Sequence, residues 1–140
     1  MSIDFDLLGP RDLGLIRAGM TRDESRSALE SPFDEFLKSS YSAVPTDAYD
    51  DLGLHVYFDD ALMVVGVEFL KWAQFTWRGQ RLAGEEVLVV QQFLTGQGEF
   101  LVFNNSGFNV ERLGLRFYAP DIGEEDAIVE AVHVDFTGVD

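Results

Sequence analysis

One alternating pattern is written twice in this chain, and it limits the folds the chain can adopt. Leu52-Gly53-Leu54-His55-Val56-Tyr57-Phe58 lies over Leu113-Gly114-Leu115-Arg116-Phe117-Tyr118-Ala119, and Val65-Gly66-Val67-Glu68-Phe69 over Val132-His133-Val134-Asp135-Phe136. Both copies alternate with period two, as half-buried antiparallel strands do. Each therefore reads as a β-hairpin, the second with a longer connection, Pro120-Asp121-Ile122-Gly123-Glu124-Glu125-Asp126. A lone hairpin is marginal in water, so two hairpins in one short chain call for a shared core.

A helix candidate precedes each hairpin. Thr21 and Glu24 have capping-box spacing, and Pro32 falls just past the end of that segment. In the second half Glu85 and Glu86 suit a helix N-terminus, while Gly96 and Gly98 suit its end. Val87, Val90, Phe93 and Leu94 form a stripe of helical period, although the β-branched run around them also allows a strand. Short strands are expected in residues 13–19, 72–79 and 99–105. A helical turn is expected at Phe33–Leu37, within a loop rich in Ser, Pro and Asp.

The expected fold is α+β. Residues 1–140 form a single domain with two tandem β-α-β-β repeats, approximately 11–70 and 71–137. The repeats share one antiparallel sheet of about six to seven strands, with the helices packed on one face.

Composition narrows the function classes. The 140 residues include 25 acidic and 10 basic ones, a net charge of −15, and no cysteine. Disulfides, thiolate catalysis and cysteine-ligated zinc are thereby excluded. The negative field opposes binding to nucleic acid or anionic membranes and attracts basic partners at long range. The N-terminus lacks a basic region followed by an apolar one, so a cytoplasmic chain without a signal peptide is expected.

Alternation also assigns faces. Leu54, Val56, Phe58, Val65, Val67 and Phe69 should point at the helices, as should Leu115, Phe117, Val132, Val134 and Phe136. The opposite face then receives His55, Tyr57, Gly66 and Glu68, with Arg116, Tyr118, His133 and Asp135. Tyr, Trp and Arg anchor protein interfaces, so Tyr57, Glu68, Arg116, Tyr118, His133 and Asp135 are candidate partner-binding residues, joined by Trp72 on an adjacent candidate strand. Acidic turns extend the set: Asp59 and Asp60 at the first tip, and Asp121, Glu124 and Glu125 at the second. Asp47, Asp50 and Asp51 add negative charge before the first hairpin. Exposed sheet faces and turns also carry such residues simply because they are solvated.

Motifs for chemistry are weak. The Asp121–Asp126 turn lacks EF-hand spacing, the two histidines form no ligand pair, and no glycine pattern makes a phosphate loop. No catalytic residue, metal or cofactor is assigned, and the expectation is a protein that is not an enzyme.

The phrase from Ile16 to Pro32 resembles the helix start of SmpA/OmlA-type and β-lactamase-inhibitor-like modules. Gly19, Met20, Thr21, Glu24, Leu29 and Pro32 match; Ser25 replaces a β-branched apolar residue and Glu30 replaces a glycine. Pro45 to Asp59 is similar to a phrase in a group of small bacterial proteins of the immunity-protein type. The lipoprotein members' signal peptide and lipid-attached cysteine have no counterpart, so their outer-membrane role does not carry over. The resemblance implies a non-enzymatic binding scaffold. By analogy it implies an immunity protein that neutralises a basic toxin domain. An accessory or assembly protein and a small-ligand binder or enzyme using the open face are the alternatives.

Overall fold

The computed structural model describes residues 3–37 and 44–137. Strand β1 (Phe5–Asp6) comes first, followed by helix α1 (Arg22–Leu29) and strands β2 (Asp34–Phe36), β3 (Thr46–Tyr49), β4 (Leu54–Phe58) and β5 (Val64–Leu70). Two short strands, β6 (Phe75–Trp77) and β7 (Gln80–Arg81), lead to helix α2 (Val87–Gly96). Strands β8 (Val102–Asn104), β9 (Gly107–Val110), β10 (Leu115–Tyr118) and β11 (Ala131–Asp135) complete the chain. The fold is α+β. An eight-stranded sheet of order β2-β3-β4-β5-β11-β10-β9-β8 is antiparallel throughout, and β1, β6 and β7 form a separate three-stranded sheet.

The sheet exceeds the expected six to seven strands because each helix is followed by a four-stranded meander, with β5 and β11 pairing at the centre. Residues 13–19 form turns and an isolated bridge at Arg17 rather than a strand. Phe33–Leu37 holds strand β2, not a helical turn, because Asp34–Phe36 pairs with Thr46–Ala48. The expected strand in residues 72–79 exists as β6 but joins the small sheet.

Local chemistry explains both helices. Thr21 Oγ1 accepts from the Glu24 N–H at 3.2 Å, and Glu24 Oε1 accepts from the Thr21 N–H at 3.0 Å, closing the capping box. Ser25 is fully buried, its hydroxyl donating to the Arg22 carbonyl at 2.8 Å, which is how a polar residue fills an apolar position. In α2 the β-branched run is helical because Val87, Val90 and Leu94 align on one buried face. The Val87 N–H, unpaired within the helix, donates to the Ala127 carbonyl at 2.9 Å.

One row of side chains crosses the covered face through successive strand pairs: Phe103, Phe108, Phe117, Val132, Phe69, Leu54 and Tyr49. Phe69 stacks on Phe75 at 4.1 Å, fastening the small sheet to this layer, and Phe108 stacks on Phe117 at 4.7 Å. Leu29 of α1 and Val90 and Leu94 of α2 belong to the same core. No helix among the described residues is long and apolar enough to cross a membrane.

Two charged residues are buried among the described residues. Asp47, expected in a solvated loop, is wholly buried in β3 opposite Val56. Arg26 of α1 donates to it twice, Nε to Oδ2 and Nη2 to Oδ1, both at 2.8 Å. Glu99 is likewise buried and takes a paired contact from Arg112.

Tyr49 ends the core row, and its hydroxyl makes no hydrogen bond among the described residues. Burial, reinforced by the charge of Asp47, pushes its phenol up to about 12. A raised phenol contributes stability below its unfolded value of about 10, and that contribution is lost as pH rises through the folded value. Because the buried hydroxyl is unpaired among the described residues, Tyr49→Phe should match or exceed wild-type stability at neutral pH, by up to about 1 kcal/mol. Its urea midpoint should also fall less than the wild type's between pH 10 and 12. A clear loss at neutral pH would show that the hydroxyl is paired after all.

Candidate protein-binding face

The helices and small sheet pack on one face of the eight-stranded sheet; among the described residues no helix or second sheet packs on the other. A transverse row spans it strand by strand: Asp34, Ala48, His55, Glu68, His133, Arg116, Asn109 and Val102. A neighbouring row carries Tyr57, Gly66 and Asp135, and on the other side lie Leu70, Ala131 and Tyr118. Six expected partner-binding residues, Tyr57, Glu68, Arg116, Tyr118, His133 and Asp135, thus occupy one surface. Period two put them there: each alternates with a buried Leu, Val or Phe.

One departure comes from a bulge. The β4–β5 register passes from Tyr57↔Gly66 to Phe58↔Val64, so Val65 is the extra residue. Val64, not the expected Val65, is buried in the core, and the Val65 carbonyl accepts from the Phe136 N–H at 2.9 Å.

At the centre of the face, glycine makes room for a cluster of rings. A Cβ on Gly66 would lie 2.7 Å from His133 Cε1, so the imidazole rests directly over the Gly66 backbone. Tyr57 packs on the other side of that ring, with centroids 5.7 Å apart. His55 stands edge-on to Tyr57 at 6.5 Å, and Phe36 edge-on to His55 at 5.2 Å. The Tyr57 hydroxyl donates to Glu68 Oε1 at 3.4 Å, a long contact. Burial, followed by the Glu68 charge, drives the Tyr57 phenol well above its ordinary value.

Charges on the face are locally paired. Arg116 Nη2 lies 3.2 Å from Asp135 Oδ2, and Asp135 Oδ1 accepts from Thr137 Oγ1 at 2.6 Å and the Thr137 N–H at 2.9 Å. Partial burial raises the Asp135 carboxyl. The two Thr137 bonds and the positive charge of Arg116 outweigh it and hold the group below its ordinary value. Glu68, Asn104, Asn109, Arg116, Tyr118 and His133 line a shallow concavity of about 270 Å³. Its far wall, Asn104, Ser106 and Asn109, was not singled out in the sequence. Alternation in residues 99–105 gave the signal, because it places Asn104 opposite Phe103.

The remaining expected residues lie elsewhere. Trp72 follows β5, is half exposed, and donates from Nε1 to the Asp50 carbonyl at 2.9 Å. Asp59 shapes its turn, with Oδ1 accepting from the N–H groups of Ala61 and Met63 at 2.9 and 3.0 Å. Asp60 is exposed beside it. Asp121, Glu124 and Glu125 belong to the β10–β11 connection, where Glu124 and Glu125 border a groove on the helix-bearing side. Among the described residues no group of three or more His, Asp or Glu converges to hold a metal ion. Comparison with known proteins finds no matching family model, curated protein or solved structure.

Proposed function

We propose that this chain is a non-enzymatic protein-binding module whose open sheet face receives a basic protein. Its leading form is a cytoplasmic immunity protein that occludes a toxin domain. The observation that carries this reading is the aligned row His55, Glu68, His133, Arg116 with Tyr57 and Tyr118 beside it, on a face that neither described helix covers. Tyr and Arg are residue types enriched at the energetic centres of protein interfaces, and the shallow concavity suits an intruding side chain. A net charge of −15 steers a basic partner toward the molecule. The two α-β-β-β-β halves, joined at β5 and β11, fit a tandem duplication whose central seam is this site.

Affinity capture from host lysate tests the reading. Wild-type bait should retain one stoichiometric basic protein, and bait carrying Tyr57→Ala, Tyr118→Ala and Asp59→Lys should lose it. Retention by both baits would move the interface off this face. Encoding beside a larger toxin gene would separate an immunity protein from an accessory or assembly factor.

The concavity favours a second reading, a small-ligand site at Glu68, Arg116, Tyr118 and His133. Asp135 is not part of that lining; it borders a smaller hollow of about 130 Å³ with Arg116. Saturable ligand-induced shifts at His133, with no protein retained on the bait, would favour it.

A further inference from the structure

The two edges of the eight-stranded sheet differ. At one end β2 carries Asp34 and Glu35, and Glu35 is tied to Arg26. Charged side chains of this kind keep an edge from pairing with another chain. At the other end β8 is Val102-Phe103-Asn104, all exposed, without a charge or a proline, and among the described strands it is hydrogen-bonded to β9 alone.

Beside that edge lies a groove of about 440 Å³ on the helix-bearing side. Leu88 of α2 and Phe103 of β8, exposed by 54% and 61%, line it together with Ile122. Phe103 lies 6.0 Å from Phe108 and continues the core row onto the edge strand. Glu124 and Glu125 form the rim. An open edge strand beside an apolar groove is the arrangement that receives an added strand.

We propose that β8 is a second docking site, taking an extended basic–apolar segment of another protein as an additional strand. Its apolar side chains fill the space between Leu88 and Phe103, and its flanking lysines or arginines meet Glu124 and Glu125. Charge decides against a second copy of this chain, because edge-to-edge pairing would bring two acidic rims and two strongly negative molecules together. The site lies across the sheet from the open face and stands or falls independently of that reading.

The test uses the full chain and a blocked heptapeptide, Lys-Thr-Val-Thr-Phe-Thr-Lys, followed by amide resonances. One control replaces the Val and Phe with Ser, and another replaces the Lys with Glu. The first peptide should saturably shift the amides of Val102, Phe103, Asn104 and Leu88, and neither control should. Phe103→Lys, and separately Glu124→Lys with Glu125→Lys, should each weaken binding about tenfold or more. The melting temperature of the glutamate variant should stay unchanged, because both side chains are exposed, and an amide spectrum unchanged away from β8 checks the fold of Phe103→Lys, whose ring touches Phe108. Equal binding of a control, shifts confined to Arg116, Tyr118 and His133, or self-association through β8 without peptide binding would each overturn the proposal.

Discussion

Arg26→Ala should destabilise the protein by about 3 kcal/mol, lowering its melting temperature by roughly 10 °C. The reason is the carboxylate left behind. Asp47 has no exposed surface, and both its oxygens accept from the one guanidinium at 2.8 Å. Removing that partner strands a charge inside the layer between α1 and the sheet, where an unpaired ion costs several kcal/mol. Phe33 also loses a neighbour, since the Arg26 guanidinium lies 4.5 Å from its ring centre. Asp47→Ala should cost less, because Arg26 keeps Glu35 and some contact with water. Joint replacement, Arg26→Met with Asp47→Leu, should recover much of the loss, as apolar substitutes for buried pairs often do. Urea denaturation of the three variants measures all of this. A single Arg26→Ala costing under about 1 kcal/mol would mean that Asp47 is hydrated and that α1 does not seal this end of the core.

Gly107→Ala should be as damaging, at about 3–4 kcal/mol, through an unrelated cause. Gly107 opens β9 with φ at 154°, and a Cβ there would sit 2.0 Å from the Phe117 carbonyl oxygen. That oxygen belongs to the backbone of the neighbouring strand, so no side-chain rotation relieves the clash; β9 and β10 must separate. Their register, Gly107 opposite Tyr118 and Phe108 opposite Phe117, places both a core pair and an open-face residue at risk. Gly79→Ala serves as the comparison. It also has positive φ, at 83°, but meets nothing within 4 Å and should cost only about 1 kcal/mol. Equal losses at the two positions would contradict the close approach of β9 and β10.

The hairpins were legible because alternation is a local property: Leu115-Arg116-Phe117-Tyr118 reports its two faces without knowledge of its neighbours. Gathering His55, Glu68, His133 and Arg116 into one row depended on β5 pairing with β11, a contact between distant segments that period two does not encode. The bulge that exchanged Val64 for Val65 was equally hidden, since the extra residue breaks the alternation only where the register with β4 shifts and leaves Gly66 to Phe69 as expected. Asp47 was misread because a carboxylate beside Pro45 and Thr46 looks solvated. Only the distant Arg26, on a helix, makes its burial tolerable. The exposure of Phe103 on the edge strand and of Leu88 on α2 was not legible either, because it depends on what the other elements leave uncovered.

Site-specific photo-crosslinking tests the open-face interface most directly, because a chain without cysteine accepts a single reporter thiol. Ser106→Cys places it on the rim of the concavity, and Ser27→Cys places it on the exposed side of α1. Each would carry a benzophenone label and be irradiated in host lysate. The expected result is one dominant adduct with a basic protein from the Ser106 position and none from Ser27. The same adduct from Ser27 alone, with Ser106 silent, would contradict the account.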